Sequence, residues 1–134
     1  MMDAVRVEVP VRATEDPEKV REAVMNVFPD LEVESGGDFL KGKGNIESLS
    51  ELREALERRR IRLTAREILL KNIRGKSTRI YINKQAALIG RVNVLEEPIT
   101  PLGDIMVEIE SDDIIGIIDW LAPDVSRDRG ESVD

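Results

Sequence analysis

A chain of 134 residues is the size of a single domain with one core, and 41% hydrophobic with 35% charged residues describes a folded, soluble protein. It has no Cys and no His, which excludes disulfides, thiolate nucleophiles, Cys/His zinc sites and imidazole catalysis and leaves carboxylate, Lys, Tyr and Ser/Thr chemistry. The formal net charge of −7 taken alone argues against a nucleic-acid partner, and with aromatic residues at 3% the core must be built from Val, Ile and Leu.

In chain order, Val5, Val7, Val9 and Val11 alternate with Arg6, Glu8, Pro10 and Arg12, the period of a half-buried strand. Pro10 lacks a ladder donor and predicts an edge or a bulge there. Asp16 before Pro17 opens a helix whose face is Val20, Ala23, Val24, Val27 and Phe28, stopped by Pro29 and Asp30. LEVESGGDFLKGKG reads as a hairpin turning at Gly36-Gly37, its second strand fraying into the glycines of KGKGN. SLSE at 48–51 offers a capping box for a helix striped by Leu49, Leu52 and Leu56. A break near 61–63 and a second box at Thr64 and Glu67 then predict a helical piece over 65–73, closed by Gly75.

Strand composition returns with Ile80 and Ile82 facing one way and Tyr81 and Asn83 the other. A turn near Lys84 and Gln85 and another strand over 87–95 are expected next. Ile105, Val107 and Ile109 form a last strand, and Asp112 is placed to cap a final helix packed by Ile114, Ile115, Ile118 and Leu121, with Trp120 as core. The order β-α-β-β-α(α)-β-β-β-α predicts an α+β fold: a single mixed or antiparallel sheet with helices packed on one face and the other face open. One domain over 1–123 and a flexible tail over 124–134 complete the organisation. The N-terminus has an acid at position three and is not a secretory signal, and IIGIIDWLA is too short for a membrane span and contains Asp119. A cytoplasmic protein is expected.

Charge is segregated along this order. Between Arg53 and Arg79 lie ten basic residues (Arg53, Arg58, Arg59, Arg60, Arg62, Arg66, Lys71, Arg74, Lys76 and Arg79) against three acids (Glu54, Glu57 and Glu67), a local +7 that leaves −14 for the rest. That pattern has two readings: a positive face for a polyanion, or a segment that pairs with the acidic remainder. Glu54 and Arg58 have the spacing of a helical ion pair, which leaves Arg59, Arg60, Arg62, Arg66 and Arg74 as better candidates for an outside partner. Lys76, Lys84 and Arg91 add phosphate contacts in this reading, and Asn83 and Gln85 hydrogen-bond bases or ribose. Tyr81 offers a ring for stacking or, more simply, a cross-strand partner that shields the sheet.

Two other chemistries were weighed on the residues. GKSTR at 75–79 superficially suggests a phosphate loop, but Leu70 stands where that motif needs Gly, and a helix leads into it where a strand should. A magnesium-dependent site would require Glu108 and Glu110 to converge with Asp112 or Asp113. No cofactor or catalytic residue is assigned.

INKQAALIGRVN at 82–93, followed by PLGDIMVEIE and IIDWLAP and preceded by RRRIRLTAREILLK, resembles a family of small archaeal proteins classed as RNA-binding and exosome-associated. The resemblance runs over roughly residues 3 to 123. It implies a domain similar in fold to ribosomal protein L5, and it implicates Arg59, Arg60, Arg66, Asn83, Lys84, Gln85 and Arg91. The expected function is a non-catalytic module that grips structured RNA through a basic helix and adjoining strands. The alternative is a homodimeric or complex-scaffolding protein with no direct nucleic-acid role, whose uncovered sheet face meets another chain.

Overall fold

The computed structural model describes residues 3–99 and 103–125; the expected tail lies largely outside them. Six strands form one antiparallel sheet in the order β2-β3-β1-β6-β4-β5. They are β1 (Ala4–Pro10), β2 (Glu32–Gly36), β3 (Phe39–Gly44), β4 (Ser77–Ile82), β5 (Val94–Leu95) and β6 (Ile105–Glu110). Among the described residues five helices pack on one face: α1 (Pro17–Val27), α2 (Ser50–Arg58), α3 (Arg62–Lys71), α4 (Lys84–Leu88) and α5 (Ile114–Leu121).

Alternation within each strand sets the sidedness. Val5, Val7 and Val9 of β1, Ile80 and Ile82 of β4, and Ile105, Val107 and Ile109 of β6 are all buried beneath the helices. Each fully buried Val or Ile contributes about 1.5–3 kcal/mol of transfer free energy, so a one-residue slip in β6 would forfeit its whole apolar set. Thr78 shares this face without leaving an orphan donor, because its hydroxyl donates to the Leu69 carbonyl of α3.

Several expectations meet a different physical solution. Pro10 is neither at a sheet edge nor at a bulge: β1 is interior, and Pro10 stands at its last position, beyond the stretch paired with β6. The glycines of KGKGN do not fray the strand. Gly42 and Gly44 lie within β3, and a Cβ at Gly42 would collide with the Leu31 side chain, which fills the space above them. The hairpin turn is centred on Gly37 and Asp38, since Gly36 pairs with Phe39. The boxes expected at 48–51 and 64–67 are replaced: Ser48 accepts from the Asn45 backbone at the head of a 3-10 turn over Ile46–Leu49, and α3 starts at Arg62 without a side-chain cap.

The largest difference falls at 84–93. Instead of a strand, Asn83 caps α4 by accepting from the Ala86 amide at 2.8 Å, and only Val94 and Leu95 pair with β4. At the last helix the cap is Asp113, which accepts from Gly116 N at 3.1 Å, while Asp112 turns to Lys76. Ile114, Ile118 and Leu121 are buried there, but Ile115 faces solvent. Trp120 is half-buried with the Arg53 guanidinium 5.3 Å from its ring centroid.

Candidate nucleic-acid interface

The basic segment divides into cations that the fold has already used and cations that it has not. Arg58 reaches Glu51 at 3.3 Å, not Glu54, and Arg66 reaches Asp119 at 2.7 Å. Lys71 pairs with Glu96 at 2.8 Å, Lys76 with Asp112 at 2.7 Å and Arg79 with Glu108 at 3.0 Å. All five acids lie outside 53–79, so the second sequence reading, pairing with the acidic remainder, describes half of the ten cations. Hydrogen bonds to these acids raise the Lys71 and Lys76 pKa values, with direct charge attraction adding to them.

The exception is the turn between α2 and α3. Its backbone is a Schellman motif: the Arg60 amide donates to Glu57 O and the Ile61 amide to Leu56 O. The residue that must turn left-handed in such a motif is usually Gly, yet here it is Arg60, with φ of 58°, the single non-Gly residue with positive φ among the described residues. That conformation costs an L-residue roughly 1–2 kcal/mol. The exposed Arg60 side chain makes no hydrogen bond or ion pair with any described residue, so no side-chain contact among them offsets this cost.

Arg59 fastens this turn to the loop after α4. Its Nε donates to Val92 O at 3.1 Å and its terminal nitrogen to Asn93 Oδ1 at 2.6 Å. The Asn83 amide in turn donates to Asn93 O, and the Arg91 amide to Ala86 O. Arg59, Arg60, Arg62, Asn83 and Arg91 therefore collect at one end of the helical layer. Within this group Arg60, Arg62 and Arg91 carry guanidinium groups with no partner among the described residues, and Ile89, 73% exposed, lies beside Arg91. Gln85 is exposed on the first turn of α4, on the side that borders α1.

The remaining candidates stand elsewhere. Arg66 also donates to Ala122 O at 3.2 Å and so ties α3 to the end of α5. Arg74 and Lys76 flank Gly75 in the turn that enters β4, whereas Asn83 follows its exit, a separation of about 20 Å along six strand residues. Lys84 is 3% exposed, and its ammonium donates to Pro10 O at 2.7 Å and to Glu15 at 2.9 and 3.1 Å. Such a lysine fixes α4 against the segment between β1 and α1 and presents no charge to a surface ligand.

On the uncovered face, side chains that point away from the helices form rows of cross-strand neighbours. One row runs Glu32, Lys43, Arg6, Glu108, Arg79; the next runs Glu34, Lys41, Glu8, Met106, Tyr81, Leu95. Glu108 is the keystone of the first, accepting from Arg6 Nε at 2.9 Å and Arg79 Nε at 3.0 Å. Burial pushes its carboxyl up, but these two hydrogen bonds and charges outweigh that and hold it below its ordinary value. Glu108 is thereby committed to arginines, Asp112 to Lys76 and Asp113 to its helix cap, and no group of three or more acids among the described residues is arranged to hold a metal ion.

One residue here escaped the sequence reading. Asn72, at the end of α3, donates to Arg79 O at 3.0 Å and Glu96 O at 3.1 Å and so holds β4 and the 96–97 segment together. Its signal was an Asn just past the last periodic helical position. Glu97, one of the acid pair Glu96-Glu97 that the sequence shows, is exposed on the same rim.

A protein-family profile described as RNA binding matches residues 4–111. The chain is 70% identical over 125 residues to the UPF0201 protein of Methanothermobacter thermautotrophicus, covering 93% of this chain and 95% of that one. It is 41% identical to the UPF0201 protein of Thermococcus onnurineus, with 92% and 93% covered. This chain belongs to that archaeal family. Among solved structures, a UPF0201 protein superposes with a TM-score of 0.81 at 32% identity, covering 90% of this chain and 94% of that one. The UPF0201 protein from Methanococcus jannaschii does so with a TM-score of 0.76 at 35% identity, covering 90% and 92%.

Proposed function

We propose that this protein grips structured RNA at the α2–α3 turn, with Arg60, Arg62 and Arg91 on phosphates, Arg59 holding the turn in place, and Asn83 at its border, with Gln85 farther off on the α1 side of α4, for ribose or base contacts. The observation that carries the reading is Arg60: a cation in a conformation that favours Gly, exposed and without an acid, in a segment where most neighbouring cations are paired. Strain retained without a structural return points to a role outside the fold. The negative total charge works against this only at long range, because separations beyond roughly 10 Å are screened at moderate salt.

Kinship with ribosomal protein L5 and an exosome setting, both implied by the family resemblance, belong to the same proposal; co-purification with exosome subunits checks the second. The direct test is fluorescence anisotropy of the purified protein against duplex and single-stranded RNA, with DNA controls, at two salt concentrations. Binding that favours RNA and weakens as salt rises is expected. No binding at tens of micromolar protein would reject the proposal and turn attention to a protein partner or a homodimer.

A further inference from the structure

The turn proposed above grips phosphate, yet a polar, half-open cavity on the uncovered face suits a different part of a nucleotide. Between the end of α3, β4 and the 96–97 segment lies a half-open cavity of about 350 Å³, at the small end of the range for small-ligand sites. Its walls include Arg74, Arg79, Tyr81, Glu97 and Glu108, and Asn72 fixes its floor through its two backbone bonds. Charge here is nearly balanced. Arg74 and Arg79 face Glu96, Glu97 and Glu108, while Lys71 and Arg6 neutralise Glu96 and Glu108 from outside. A phosphate gains little from such a field, whereas a flat, neutral group rich in donors and acceptors fits it.

Two charged groups in the cavity form no close ion pair with any described residue, although Lys71 attracts Glu97 from farther off. The Glu97 carboxylate has no hydrogen bond or ion pair with any described residue, and the Arg74 guanidinium makes one side-chain bond, from one terminal nitrogen to Ile73 O at 2.8 Å. Both stand around the half-buried Tyr81 ring. A carboxylate accepts the N1 and N2 protons of guanine, and a guanidinium donates to its O6 and N7. Across the same ring lies a second depression, of about 420 Å³, which Arg79 and Tyr81 also line and which Arg12, Phe39 and Met106 help to form. Phe39 is 38% exposed, and Arg12 makes no side-chain bond with any described residue. From Tyr81 on β4 to Phe39 on β3 is about 15 Å across three strand spacings.

We infer that the uncovered face takes a single-stranded stretch of RNA, seating an unstacked guanine against Tyr81 in the cavity of Arg74 and Glu97, with the strand continuing toward Phe39. This rests on the RNA-binding reading and deepens it, adding base readout to a phosphate grip. Stacking and hydrogen bonding to a base release few counterions, so this contact is insensitive to salt while the grip at Arg60 is sensitive.

The test titrates the full chain with a short uridine-rich RNA holding one guanosine, and with its adenosine and inosine counterparts, across a range of salt. Tyr81→Ala is expected to weaken binding about tenfold without changing the salt slope, and Tyr81→Phe to restore it. Glu97→Gln, on an exposed side chain that cannot unfold the protein, is expected to erase the preference for guanosine over adenosine and inosine. If RNA binds with a salt slope but both Tyr81→Ala and Glu97→Gln leave affinity and base preference unchanged, the inference falls and the phosphate grip stands. If no RNA binds, both fall.

Discussion

Two stretches of the basic segment have similar composition and opposite fates. In α3 and β4, Arg66, Lys71, Lys76 and Arg79 each meet an acid brought in by another element, and they hold the helical layer and the sheet rows together. At the α2–α3 turn, Arg60 and Arg62 meet no acid among the described residues, and Arg60 stands in a left-handed backbone conformation. Local charge density says nothing about which cations remain for a partner; what decides it is where the fold delivers the carboxylates.

Lys84 gives the widest separation between the two kinds of cation. Lys84→Ala leaves the Glu15 carboxylate, which is only 13% exposed, without its counter-charge and with the Arg12 amide still donating to it, and should cost about 3 kcal/mol, read as a fall of roughly 10 °C in thermal unfolding. Lys84→Met combined with Glu15→Gln should recover most of that, because both charges then leave together. Arg66→Ala removes the Asp119 pair and the bond to Ala122 O, for a loss of about 1–2 kcal/mol in denaturant unfolding, with RNA affinity intact once the protein is folded.

Arg60→Gly should move the two properties in opposite directions. Relief of the left-handed strain raises stability by about 1 kcal/mol, while loss of the cation weakens RNA binding several-fold; paired melting and anisotropy measurements read both. A gain in stability with RNA affinity unchanged would detach Arg60 from function. The smallest effect is expected at Glu108. Its carboxyl is held low in the fold, so its contribution to stability is complete above the ordinary carboxylate range and is lost as pH falls through its own lower value. Glu108→Gln should therefore lower stability slightly at neutral pH, by about 1 kcal/mol or less, and flatten the acid limb of the stability profile.

Much of the fold was legible because period and caps speak locally. The valines of β1, the Asp16-Pro17 start of α1 and the alternation of β6 each state their element within a few residues. The 84–93 stretch misled because Ala86, Ala87 and Leu88 alternate too weakly to separate a short helix from a strand, and the Asn83 cap tips the balance. Gly42 and Gly44 misled for another reason: the side chain they accommodate, Leu31, belongs to a different segment. The site was legible only in its ingredients. Arg66 and Asp119 are 53 residues apart and Arg79 and Glu108 are 29 apart, so the pairing that neutralises these cations is a product of the tertiary fold. Arg60 could be picked out as one of a cationic run, but not as the one with a left-handed backbone.

The most direct measurement is the salt dependence of RNA binding by an Arg60→Ala/Arg62→Ala/Arg91→Ala variant beside the wild-type protein, with melting temperatures taken on the same samples. An affinity at least about tenfold lower at low salt, a slope shallower by about 2–3, and an unchanged melting temperature are expected from three lost phosphate contacts. Unaltered affinity and slope in a folded variant would contradict the assignment of the RNA grip to the α2–α3 turn.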